Sequence, residues 1–566
     1  MCAAAHLDEK FCDEAIAEFL VEPVRAIPPS PGVDSAAVLR EAVAAQTRRR
    51  IRDGVLLALL VVFVFANITV AFFWAVLVAV AAVLMALVRN RRAIASALVA
   101  AGTRGDWHLL MRARGWLTAG AGINRPILAL VVIGFLAVVG VPFFLLASVL
   151  GSAIDPSLGA PAISELIPGS TWLTVVLGLL MLVVLAVDEF TVARLMSSSF
   201  RRGRFDPDAR RAASEWERLA RSLGHDSFRA GLHRVARAEE GSLPAGQADV
   251  IVYRGYTPFI GAGDKVAHHV IALPLEPSED DNDDEPVPVS VNDLHRHVAE
   301  ALAALRSPSS LGPERRLEGL RHREQVLVPA DRLLINQLTR MQPAVLPDLS
   351  HPPVTQLPLA AARALAENPL EWARYYSCFR VESWDRDLVT SCYLHLGTDQ
   401  RMLYLEWTYC VLLPVSERYR SIDRVREWRP FVGSLVEWVV LPVSLFQRFR
   451  SAFRRHVPLS QRPGELVPDR YGSAQSLREI AADVDAQTYF QDADIERYVN
   501  VLDSALVRAV GQYLEERGYS VVEFTRMAVG NNFNIFGDVI GSAVGKNSKV
   551  GDVRVNAARP GAKGSK

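Results

Sequence analysis

Three stretches of the chain, residues 54–88, 126–154 and 166–187, contain no Asp, Glu, Lys or Arg and are almost wholly apolar. An α-helix rises about 1.5 Å per residue and bilayer hydrocarbon is about 30 Å thick, so roughly 20 such residues cross it once. The second and third stretches each fit one crossing. The first, as one helix, would reach about 52 Å, more than tilting hides. Its polar interruption at Asn67 and Thr69 predicts a hairpin of two helices, near 54–67 and 70–88.

Arginine placement predicts the topology. Arg48, Arg49, Arg50 and Arg52 precede the first stretch, and Arg89, Arg91 and Arg92 follow it. Arg104, Arg112, Arg114 and Arg125 lie before the next, and Arg194, Arg201, Arg202 and Arg204 after the last. The connection 155–165 carries Asp155 and Glu165 and no base. The positive-inside rule then gives an inner (plasma) membrane protein with four transmembrane helices, the first two a hairpin, and both termini cytoplasmic. Residues 93–115 read as an interfacial helix.

Elsewhere the periodicity is that of folded protein. Residues 1–46 read as a cytoplasmic helical segment broken at Pro28, Pro29 and Pro31. Residues 47–204 are the membrane domain. Residues 205–345 read as a cytosolic α/β domain: a helix opened by Asp206 and Pro207, strands at 249–254 and 266–273, and an amphipathic helix at 292–305. Residues 346–526 read as a cytosolic α+β domain. Its strands at 374–382, 388–396 and 402–413 are aromatic and β-branched, with turn residues between them, which predicts an antiparallel meander. Helices follow over 473–518, and 520–524 is expected to add a strand. The apolar stretch 431–446 holds Glu437 and Pro442. It is expected to be interfacial or core-docked, because a carboxylate at mid-bilayer costs about 2.5–3.5 kcal/mol.

Composition narrows the partners. Net formal charge is zero, which gives no basic excess for nucleic acid. The five cysteines, Cys2, Cys12, Cys378, Cys392 and Cys410, are odd in number and widely spaced, the pattern of free thiols in a reducing compartment. Six lysines against 56 arginines suggest a GC-rich bacterial coding sequence. No cleavable signal sequence opens the chain, so the first span is expected to act as its own signal.

Few residues are arranged as chemistry would need. The loop from Gly255 to Asp264 is glycine-rich after a strand, as phosphate cradles are, but it lacks G-x-G-x-x-G and a following helix. It reads as a hairpin loop. Cys378, Cys392 and Cys410 with His395 lack the close pairs of structural zinc sites and read as buried apolar residues. The pairs His268–His269 and His295–His297 do not share a face. The acidic run 279–285 reads as a surface insertion, and Asp188–Glu189 as an interfacial ion pair with Arg194. No Walker A, H-E-x-x-H, G-x-S-x-G or kinase set is present. No catalytic, cofactor-binding or metal-binding residue is assigned, and no cofactor is expected.

The tail, residues 527–566, is rich in Gly and Asn. From Asn531 to Gly545 apolar residues alternate, and Gly-Asp-Val occurs twice, at Gly537 and Gly551. Alternation with Asn and Gly suits strands that stack on copies of themselves, while an untethered tail or single edge strand has the same composition.

The chain resembles a class of large actinobacterial multi-pass membrane proteins in two places: Y-x-G-Y-x-P-F-x-G-x-G, here Tyr253 to Gly263, and the strand Leu403-Tyr404-Leu405-Glu406-Trp407. Its tail is similar to Gly/Asn-rich ends of bacterial proteins in amyloid-like signalling. The resemblance implies a membrane domain with a large cytosolic region, without implying a reaction. The expected function is that of a non-enzymatic sensor, scaffold or effector, with the bilayer and further copies of itself as partners, through the membrane domain or residues 530–555. The alternatives are a membrane-anchored enzyme with a pocket near Gly255–Gly263, and an oligomeric channel or transporter.

Overall fold

A computed structural model describes residues 1–68, 70–72, 74–76, 78, 171–201, 227–240, 246–278, 286–306, 317–335, 341–420, 429–453, 458–459 and 467–532. Helices α1 (Cys2–Leu7), α2 (Glu9–Phe19) and α3 (Ser35–Ala66) open the chain, and α4 (Thr171–Leu195) and α5 (Val291–Ala303) follow. Then come α6 (Leu359–Glu367), α7 (Arg429–Phe453), α8 (Leu477–Ile480), α9 (Tyr489–Glu515) and α10 (Val522–Asn532). The described residues fall into two compact units. One draws on 1–42, 224–420 and 457–566, and the other on 43–223 and 421–456.

The first unit is built on seven strands. They are β1 (Gln247–Tyr253), β2 (Asp264–Pro274), β3 (Leu320–Pro329), β4 (Gln356–Pro358), β5 (Arg374–Ser383), β6 (Leu388–Thr398) and β7 (Met402–Leu412). They form one mixed sheet in the order β2-β7-β6-β5-β3-β1-β4, in which only β1 and β3 run parallel. Strands β5, β6 and β7 pair antiparallel in sequence order where aromatic and β-branched residues alternate.

Successive side chains on a strand point to opposite faces. The first face carries Phe379, Leu394, Leu405 and Trp407 and is covered by α5 and α9. Leu294, Val298 and Leu302 of α5 and Val499, Leu502 and Leu506 of α9 are buried there at helical spacing. Ser290 caps α5 through the Asp293 amide at 3.2 Å, and Thr488 caps α9 through Gln491 at 3.3 Å. Residues 520–524 do not add a strand, because the chain enters α10 at Val522, where Phe524 and Ala528 join the core.

The second unit packs the C-terminal part of α3 against α4 and α7. Leu56, Leu60 and Phe63 meet Leu177, Met181, Leu185 and Leu441, and the Trp438 indole donates to the Gly178 carbonyl at 2.9 Å. Glu437 on α7 is paired with Arg448 at 3.1 Å, so 431–446 is docked within this unit.

The expectation of four transmembrane helices is overturned. Among the described residues, only Trp172–Phe200 is a helix long and apolar enough to cross a membrane. The first expected span is the end of α3, whose charged residues run to Asp53. Its apolar part, 54–66, would cover only about 20 Å of the roughly 30 Å required. The helix breaks at Asn67, whose side chain caps the next turn through the Val70 amide at 3.1 Å. Phe63 before the break and Trp74 after it meet with ring centroids 5.6 Å apart. Of the span expected at 70–88, residues 79–88 lie outside the described residues, as do the whole of the span expected at 126–154 and the interfacial helix at 93–115.

Candidate functional site

The glycine-rich loop is not a hairpin loop. Strand β1 sits beside β3 and β4, whereas β2 lies at the opposite edge beside β7. Residues 254–263 must therefore cross five strand spacings, about 24 Å, which ten extended residues can span. The loop runs over the second face of the sheet. Phe259, Ile260 and Ala262 are buried there against Ile251, Leu327 and Tyr376, and the Phe259 ring lies 4.5 Å from that of Tyr393.

Gly261 and Gly263 adopt φ of +85° and +82°, a region that favours glycine, and a Cβ on Gly263 would collide with the Val411 carbonyl. Their amides both donate to Glu479 Oε1, at 2.8 and 2.9 Å. The other oxygen accepts from the Ser476 amide at 2.7 Å, and Ser476 Oγ accepts from the Glu479 amide at 3.2 Å. The amides of Gly261 and Gly263, which a phosphate would use, are thus bound to the chain's own carboxylate. The signal was present as Ser476-x-x-Glu479, a capping box that opens α8.

The loop leaves one end of the second face open. There, register brings polar residues from neighbouring strands together. Gln325 pairs with Tyr376, His395 with Glu406, and Glu406 with Val270, and the Tyr376 and His395 rings lie 5.3 Å apart. A cleft of about 290 Å³ opens at this point, lined by Val270, Leu370, Arg374, His395, Tyr404 and Glu406. Arg374 Nη1 donates to Glu406 Oε2 at 3.0 Å, and the Tyr376 hydroxyl donates to Oε1 at 3.2 Å. His395 Nδ1 lies 2.9 Å from the Tyr375 carbonyl, which can only accept, so that nitrogen carries the proton. Burial lowers the His395 pKa and raises that of the Tyr376 phenol. At pH 7 the ring is neutral and the phenol protonated. The arrangement fixes donors and acceptors at an amphipathic opening, which is the chemistry of binding.

The other residues singled out by sequence do not converge. Cys392 faces the first side of the sheet, while Cys378 and Cys410 face the second, and burial pushes all three thiols up. Among the described residues no group of three His, Cys, Asp or Glu has metal-holding geometry. His268 meets the Thr408 hydroxyl at 2.8 Å on the second face, and His269 packs on Trp407 at 5.1 Å on the first. His295 is buried beside Ser377 Oγ at 3.0 Å, whereas His297 packs on Tyr513 at 5.5 Å. Asp188 is bonded to Arg48 and, at 2.9 Å, to Arg52, in place of the expected pairing with Arg194. The acidic run 279–285 and the tail beyond Asn532 lie outside the described residues.

One buried group escaped the sequence reading. Asp503 lies on the apolar face of α9, where its Oδ1 accepts from the Trp407 indole at 2.9 Å and the Tyr409 hydroxyl at 3.1 Å. Its signal is a carboxylate four residues after Val499 and three before Leu506, in phase with the buried stripe.

Residues 269–547, just under half of the chain, match the model of the AbeC-like domain family. The match takes in the cleft, Glu479 and Asp503, and leaves out β1 and the crossing loop. No curated protein and no solved structure matches the chain.

Proposed function

We propose that the protein is a non-enzymatic sensor or scaffold attached to a membrane through its helical unit, with the sheet unit as its binding part. The observation that carries the reading is the outward stripe of α4. Leu177, Met181 and Leu185 face inward, whereas Leu179, Val183 and Val187, at 56%, 54% and 61% exposure, face outward. Val61, Phe65 and Ile68 near the end of α3 are also exposed. An apolar surface of this extent is what hydrocarbon covers, and water does not favour it. The ion pairs of Asp188 with Arg48 and Arg52 lie beyond the uncharged part of α4, where a polar end of a span belongs.

The sheet unit supports binding over catalysis, because the polar groups of its cleft hold one another in place and the amides of Gly261 and Gly263 serve Glu479. The alternating Gly/Asn pattern from Asn531 to Gly545 supports self-association through the tail.

The test is the double substitution Leu179→Glu with Val183→Glu in the full chain. Each charge at mid-bilayer costs about 2.5–3.5 kcal/mol, so this variant should leave the membrane fraction, whereas inward Met181→Ala should remain in it. Retention of the double variant in membranes would overturn the reading.

A further inference from the structure

The open cleft on the second face has an excess of hydrogen-bond acceptors. Glu406 takes Arg374 on one oxygen and Tyr376 on the other, which leaves a lone pair on each. With its Nδ1 proton given to the Tyr375 carbonyl, neutral His395 offers Nε2 as an acceptor. Glu371, on the same wall, is an exposed carboxylate. The one cationic side chain among the lining residues, Arg374, is turned to Glu406. Arg374 set against Glu371 and Glu406, with His395 neutral, leaves the lining one formal negative charge.

The rest of the wall is apolar: Val270, Pro369, Leu370 and the Tyr404 ring. Val270 and Tyr404 are 61% and 46% exposed, which leaves an aromatic face beside a valine at the mouth. Aromatic faces attract cations. The volume of about 290 Å³ is at the low end for ligand sites, which run from about 300 to 1,000 Å³.

We propose that this cleft binds an organic ammonium ion on a small apolar body, with the ammonium donating to Glu406, His395 Nε2 and Glu371 and the body lying between Val270, Leu370 and Tyr404. The same chemistry is carried by a free amine or by a lysine side chain on a peptide. The proposal is independent of membrane attachment, because the cleft is formed wholly within the sheet unit.

The experiment is calorimetric titration of the full chain with benzylamine, benzyl alcohol, benzoate and N-acetyl-lysine methylamide. Benzylamine or the lysine derivative should bind at least tenfold more tightly than the alcohol or the carboxylate, and the tighter of the two identifies a free amine or a peptide as the source. Glu406→Gln should weaken amine binding at least fivefold and, by releasing Arg374, strengthen benzoate binding. Should that variant fail to fold, the exposed substitutions Glu371→Gln and Tyr404→Ala should each weaken amine binding by threefold or more. Binding of benzoate as tight as that of benzylamine, no binding of either amine, or amine affinity unmoved by all folded variants would overturn the proposal.

Discussion

Replacing Glu479 with alanine should release the crossing loop from the sheet. The carboxylate receives three backbone N–H groups, from Gly261, Gly263 and Ser476 at 2.8, 2.9 and 2.7 Å. Leaving the two glycine donors unpaired costs roughly 1–3 kcal/mol each, or about 2–6 kcal/mol together. Removing a carboxylate whose burial is itself unfavourable returns part of that, and the net loss should be about 2–4 kcal/mol. Hydrogen exchange over residues 255–264 of the full chain reads this locally. At about 1.4 kcal/mol per tenfold, protection should fall by roughly 30- to 700-fold. Glu479→Gln keeps one carbonyl for the glycine amides and should lose less. Burial raises the Glu479 pKa against the pull of the amide bonds from Ser476, Gly263 and Gly261. The folded chain therefore holds this proton more tightly than the unfolded chain. The group's contribution to stability is full below the ordinary carboxylate pKa, about 4.3, and is lost as pH rises through the raised folded value. Glu479→Gln should remove that part of the pH dependence. Loop protection in Glu479→Ala within threefold of the parent would refute the assignment.

Two further substitutions test the sheet unit. Trp384, Asp385 and Arg386 in the β5–β6 turn have φ of 54°, 55° and 68°, so Asp385→Gly should relieve strain and stabilise by roughly 0.5–1 kcal/mol, read as a higher denaturation midpoint. Asp503→Ala strands the buried donors of Trp407 and Tyr409 and should cost about 3–5 kcal/mol, with a change in tryptophan fluorescence. A midpoint unchanged from the parent would contradict the buried network.

What the sequence made legible was local. The meander announced itself because β5, β6 and β7 are joined by short turns and their register follows from alternation. The helix α5 was legible because Leu294, Val298 and Leu302 recur at helical spacing. The path between β1 and β2 was not, because two strands joined by ten residues read as a hairpin, and only the insertion of four later strands between them reveals a crossing. The parallel pairing of β1 with β3 is equally non-local.

Several arginines beside the apolar stretches have partners that lie far away in sequence. Arg48 and Arg52 bond to Asp188, and Arg448 to Asp53 and Glu437. A count of bases near apolar stretches does not register these pairings with acids within the helical unit. The cleft was invisible because it is assembled across strands from single residues at Val270, Arg374, His395 and Glu406, with no spacing that a motif would record.

Membrane attachment requires lipid along the outward face of α4. Density-gradient flotation of the full chain, expressed without detergent and washed in alkaline carbonate, tests it most directly. The protein should float with the vesicles and stay with them after the wash. Recovery as a dispersed species at the bottom of the gradient would contradict it.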